Sequence, residues 1–278
     1  MDAFSQDASS QGASSQNTRT HSFSDDMPIV ISVHSKSDLP VLLADFDLNQ
    51  AQPTLVLVGG ASNLSEATYQ QLEAFFAQVL VPLAERLNLY VVDGGTDVGI
   101  MRLMGQARAR SQATFPLIGV APHDLLDIPG SRSSAADAAP IEIHHTHCFT
   151  IPGNQWGDES LWIASIASHL SQNKPSVAVL INGGNVTWKD AAANVEANRS
   201  IVVVKGSGRA ADSLAMAIEQ SKQSTASLSQ TPLNQTPPLI QTSTDERAIP
   251  LVRSGLLQIL DLNQPFEKSL ALLQGLLS

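Results

Sequence analysis

Four times this chain runs a short apolar stretch into glycines and then opens a helix: "TLVLVGG", "YVVDGG", "VAVLINGG" and "IVVVKGSG". Strand-length segments that are apolar almost throughout are buried on both faces. Alternating with amphipathic helices, they predict a mainly parallel sheet with helices on both sides. Right-handed crossovers then give a doubly wound, Rossmann-like α/β fold. In such a sheet the strand-to-helix turns share the carboxyl edge, where ligands bind. Gly59–Gly60, Gly94–Gly95, Gly183–Gly184, and Gly206 with Gly208 are therefore expected on one rim.

Glycine permits positive φ and close approach of a ligand to the backbone, at a cost of roughly 0.5–1 kcal/mol per residue relative to Ala in regular structure. The helices after Thr96 and Ser207 are expected to aim unpaired N–H groups and a positive dipole end at the rim, a site for phosphate. Arg209, in a first helical turn, opposes that dipole; an anion in front of it, or a salt bridge to Asp212 or another surface acid, would each explain it. Lys205 ends its strand, and Asp93 stands where it could accept from ribose hydroxyls, while Thr96 or Asp97 suits a helix cap. Ser207 suits capping or phosphate donation better than nucleophilic attack, because G-x-S-x-G is absent. Neither "GGTDVG" nor "KGSGRAAD" fits G-x-G-x-x-G or the Walker pattern, which disfavours ordinary dehydrogenase or P-loop ATPase chemistry.

The whole chain sets outer bounds. Its 278 residues are 43% hydrophobic and carry a net charge of −10, which argues against a sequence-independent grip on nucleic-acid phosphates. A single cysteine, Cys148, cannot form an internal disulfide and reads as a buried small apolar residue. With no apolar leader and no run long enough to cross a bilayer, the expectation is a cytoplasmic protein without membrane insertion.

Residues 1–26, rich in Ser, Gln and Ala, are expected to be a disordered tail. Residues 27–278 are expected to form one domain. Within it, 222–245 should be a flexible low-complexity excursion, and 250–278 a strand and helix docking back on the sheet edge. Pro82 should kink the long helix that precedes "LYVVDGG" or split off its last turn.

The stretches "VVDGGTDVGIMRLMG", "HHTHCFTIP", "VAVLINGGN" and "SIVVVKGSGRAADSLA" resemble the N-terminal nucleotide-sensing region of the TRPM cation channels. That region belongs to the SLOG superfamily, with the Lonely-guy phosphoribohydrolases and DprA/Smf, and its prokaryotic TRPM-like branch (LSDAT) is the nearest resemblance. It covers roughly residues 54–217 and the C-terminal strand and helix. The resemblance implies a Rossmann-like domain that binds a small-molecule nucleotide such as NAD or ADP-ribose as a sensor, with no required cofactor. Output would then need self-association or an effector in trans. The Lonely-guy enzymes carry P-G-G-x-G-T-x-x-E, whose glutamate serves N-glycosidic cleavage. Here "NGGNVTWKD" keeps Thr187 but has Asn182 for Pro, Val186 for the third Gly and Asp190 for Glu. A carboxylate one methylene shorter misplaces a catalytic oxygen, which argues against hydrolysis more than against binding.

The expected ligand-binding set is therefore Gly59, Gly60, Asp93, Gly94, Gly95, Thr96, Gly183, Gly184, Asn185, Thr187, Lys205, Gly206, Ser207, Gly208 and Arg209. If the protein is an N-glycosidase acting on NAD or a nucleoside monophosphate, its carboxylate comes from Asp190, Asp93 or Glu159. Asp158 and Glu159 read first as acids at a helix start, with Glu159 pointing into the cleft as the alternative. His145 and His147 could share one strand face at a zinc spacing, but no third ligand accompanies them, so no metal is expected. Trp156 could stack on a base or cover the core.

Overall fold

The computed structural model describes residues 20–21, 27–60, 63–228 and 245–278. Of the segment expected as a tail, Thr20–His21 form a short strand, β1, and most of the remainder lies outside the described residues. The other strands of the main sheet are β2 (Ile29–Ser32), β3 (Thr54–Gly59), β4 (Tyr90–Asp93), β5 (Leu117–Pro122), β8 (His147–Ile151), β9 (Ser176–Ile181), β10 (Ser200–Lys205) and β11 (Leu257–Asp261). Their order is β1-β2-β8-β5-β4-β3-β9-β10-β11, and every pairing except β1 with β2 is parallel. A separate two-stranded ribbon joins β6 (Leu126–Asp127) to β7 (Ala139–Pro140).

Alternate strand residues feed two cores. Val56, Val92, Val120, Leu180 and Val203 pack under α1 (Leu39–Asp45), α5 (Ser160–Ser171), α6 (Asn185–Glu196), α7 (Arg209–Leu228) and α8 (Ala248–Arg253). Leu57, Val91, Leu117, Val179 and Val204 pack under α2 (Glu66–Phe75), α3 (Val81–Leu87), α4 (Gly99–Arg110) and α9 (Phe266–Leu277). The apolar strands are thus covered on both faces, as their composition requires. In α4 the buried set Ile100, Leu103, Met104 and Ala107 follows helical spacing.

Around Pro82 the long helix divides rather than kinks. A wide π turn, Phe76–Leu80, separates α2 from α3, and the Val81 N–H reaches back to the Phe76 carbonyl. The wide turn absorbs the ring and missing N–H that a continuous α-helix could not. Helix α7 runs on to Leu228, into the segment expected as an excursion, and 229–244 lie outside the described residues. At the C-terminus, β11 pairs with β10 at the sheet edge, and α9 buries Leu273 and Leu277.

The chain leaves β3 toward β4 through α2 and α3 on one face. It leaves β9 toward β10 through α6 on the other. Since β3 and β9 are neighbours, the two connections diverge and open a crevice at their carboxyl ends.

Candidate functional site

A cleft of about 510 Å³ occupies that switch point. Four adjacent strands, β4, β3, β9 and β10, end in the four glycine turns, so these turns do share one rim. Their roles differ.

The β3 turn contributes Gly59 and Gly60 to the cleft wall. Gly59 has φ +134°, and a Cβ there would sit 1.9 Å from the Ile181 carbonyl oxygen. Only glycine lets β3 end this close to β9. From the β4 turn, Gly94 and Thr96 line the cleft, and Gly95 is buried beneath. Helix α4 begins at Gly99, later than expected. Its N-cap is Val98, with no side-chain cap, and Val98, Gly99 and Met101 face the cleft. Neither Thr96 nor Asp97 caps it: Thr96 bridges to Ile141, and Asp97 accepts from the Arg102 guanidinium at 2.8 Å. An uncapped first turn leaves N–H groups directed toward the cleft.

The β9 turn opens α6. Gly184, Asn185, Val186 and Thr187 line the cleft, and the Thr187 hydroxyl accepts the Gly184 N–H at 3.2 Å. Gly183 is buried behind them. Asn182 has φ +53°, which proline, locked near −65°, could not adopt. Its difference from the P-G-G pattern is therefore a change of backbone path.

The β10 turn overturns one expectation. The first N–H groups of α7 are taken by the protein itself: Ala210 donates to the Gly183 carbonyl at 3.3 Å and Ala211 to that of Asn182 at 3.0 Å. The helix N-termini presented to the cleft are those of α4 and α6 rather than α4 and α7. Gly206 donates its N–H to Asp212 at 2.6 Å, and Ser207 is fully buried and bonded to Asn182. Lys205, Gly206, Ser207 and Gly208 do not line the cleft, and Lys205 pairs with Glu219 at 2.5 Å away from it.

Arg209 does line the cleft. Its backbone is left-handed, φ +49°, and its guanidinium lies over Gly184, where an added Cβ would meet Nη2 at 2.9 Å. Asp212 serves Gly206, and Arg209 makes no ion pair or side-chain hydrogen bond to another described residue.

The floor holds two buried carboxyls, Glu159 and Asp190. Burial pushes Asp190 up to about 7. The Ser160 hydroxyl, donating to its Oδ1 at 2.6 Å, opposes that rise, the nearby Glu159 charge adds to it, and Lys189 works against it. Burial likewise raises Glu159, whose Oε2 accepts the Gly157 N–H at 2.7 Å. Asp158 instead ties the preceding turn, accepting from the N–H groups of Asn154 and Gln155 at 3.1 Å. Trp156 lines the same cleft, with its indole N–H on the Asp137 carbonyl at 3.1 Å.

Asp93 is elsewhere. It is fully buried, and its Oδ1 accepts from the Gly95 N–H and from His145 Nε2, both at 2.8 Å. His145 Nδ1 donates to Glu142 at 2.9 Å, and Glu142 also takes His144 Nδ1 at 2.5 Å. Burial alone would strip the proton from His145, but Asp93, then Glu142, outweigh it and lift the ring to about 9. Both nitrogens are thereby committed to carboxylates. His145 and His147 do not share a strand, since β8 starts only at His147, whose ring burial pulls down to about 4. Cys148 is buried, and burial pushes its thiol up to about 12.

Sequence reasoning passed over Glu142, the wall residues Asp137–Ala139, and Arg247, which stacks on Trp188 at 4.7 Å and donates to Asn185 at 3.1 Å. Glu142 stands three residues before His145, the one local signal that could have found it.

A family model described as "SLOG in TRPM, prokaryote" matches residues 52–270. The chain belongs to this family. The match spans the sheet from just before β3 into α9, including every turn of the cleft. A comparison with curated proteins finds no match. Family membership supports a nucleotide-related role for this SLOG domain without specifying the ligand. No helix among the described residues is long and apolar enough to cross a membrane.

Proposed function

We propose that the cleft binds a phosphate-bearing nucleotide derivative of the NAD or ADP-ribose class, and that the protein acts as a non-enzymatic sensor of it. The observation carrying this reading is Arg209: a strained residue holding a guanidinium over the α6 N-terminus, unpaired among the described residues and facing the cleft. A diphosphate there gains the Arg209 fork, first-turn N–H groups of α6 and α4, and close backbone approach at Gly59–Gly60. Thermal-shift screening against NAD, ADP-ribose, cyclic ADP-ribose and ATP tests it: a ligand at 100-fold its Kd stabilises by about 2.7 kcal/mol. No shift with any of them contradicts the proposal.

A second reading, N-glycosidase action on NAD or a nucleoside monophosphate, is favoured by one feature. Glu159 and Asp190 share the cleft; burial raises both, and it brings Asp190 to about 7, as suits a carboxyl that exchanges protons near neutrality. Asp93 has no part in it, being enclosed with His145. Incubation with NAD and with AMP separates the two, since released nicotinamide or adenine appears only if the bond is cleaved.

A further inference from the structure

The cleft is polarised. Its exposed rim carries Arg209 and the N-terminal turn of α6, while Glu159 and Asp190 sit buried at the floor beside Ile163. Neither carboxyl is in an ion pair with a described residue; Lys189 acts on both at longer range, and Asp158 adds negative charge near Glu159. Asp190 is anchored through one oxygen by Ser160, and Glu159 accepts from the Gly157 N–H and from its own backbone N–H.

We propose that Glu159 and Asp190 make the floor a selective subsite for an uncharged, O–H- or N–H-bearing group, so that the cleft takes nucleotides whose phosphates stay at the rim. The inference rests on the nucleotide reading above. A ribose hydroxyl or a heterocyclic amino group donates to the Asp190 oxygen that Ser160 leaves free, beside Glu159. A second phosphate at the floor meets like charge in a poorly solvated space, with no bonded cation to offset it. Rim attraction alone would favour the more highly charged ligand, whereas the floor reverses that order.

Titration calorimetry of the full chain with AMP and with adenosine 3′,5′-bisphosphate, above neutral pH, tests this. The expected result is binding of the bisphosphate about tenfold weaker than AMP, as a like-charge contact implies. Asp190→Asn and Glu159→Gln, which keep shape and remove charge, should each narrow that gap. The wild-type comparison stands even if a variant fails to fold. Bisphosphate binding as tightly as AMP, or a gap that both folded variants leave unchanged, overturns the inference alone. Failure of AMP and ADP-ribose to bind at all overturns the nucleotide reading, and the inference with it.

Discussion

Asn182 and Ser207 bind each other twice: the Ser207 hydroxyl accepts the Asn182 backbone N–H, and the Asn182 side-chain amide donates to the Ser207 carbonyl, both at 2.8 Å. The same hydroxyl donates to the Val204 carbonyl at 2.5 Å. These bonds zip the β10 turn to the β9 turn and give the glycine-serine-glycine loop a structural task at the cleft's edge.

Ser207→Ala should therefore act on stability first. It strands the buried Asn182 N–H, which costs roughly 1–3 kcal/mol when left unsatisfied, while the Val204 carbonyl keeps the Ser207 N–H at 3.3 Å. Denaturant melts should show a lowered midpoint, while ADP-ribose affinity measured well below the melting temperature changes little. An affinity collapse in a fully stable variant would instead make Ser207 a ligand contact.

Arg209 should behave in the opposite way. Its left-handed backbone costs on the order of 1–2 kcal/mol in a non-glycine residue, and its side chain has no partner among the described residues. Arg209→Gly should be more stable than Arg209→Ala by about 1 kcal/mol, and both should lose ADP-ribose affinity. Equal melting curves for the two would remove the strain from the account.

The His145 cluster predicts a pH profile for folding. A ring lifted to about 9 in the fold, from an ordinary 6.5, contributes stability that is fully present below 6.5 and is lost as pH rises through 9. Stability should fall by a few kcal/mol between neutral and alkaline pH. His145→Gln should start less stable and lack that slope. Because Asp93 accepts from Gly95, and the Glu142 N–H donates to the Gly95 carbonyl at 3.0 Å, the loss should begin at the β4 turn. Hydrogen exchange there is the local check.

Ligand selectivity should follow Asp190. With its carboxyl ionising near 7, the preference for AMP over the 3′,5′-bisphosphate should widen as pH rises through that value. The ligands' own phosphates ionise near 6, so the decisive comparison is Asp190→Asn, in which this part of the widening disappears.

The sheet was legible because β3, β9 and β10 are runs dominated by Val, Ile and Leu, and the rim because glycine marks the ends of β3, β4, β9 and β10. Arg209 drew notice for its place alone. What decides between its two readings is that Asp212 turns to Gly206, a contact no spacing rule reports. The occupied α7 N-terminus was illegible for a similar reason, since its partners, Asn182 and Gly183, belong to another strand's turn. The histidine spacing alone allows zinc, which the missing third ligand argues against; it does not show the buried carboxylates closing on His145 from two elements. Helix α8 was too short to announce itself by periodicity.

In the function proposed, phosphate lodges where β3 and β9 diverge. A crystal structure of the protein with ADP-ribose tests it most directly. The diphosphate oxygens should lie within hydrogen-bond reach of the Arg209 guanidinium and the first-turn N–H groups of α6. A ligand seated elsewhere on the molecule, with Arg209 still facing solvent, would contradict it.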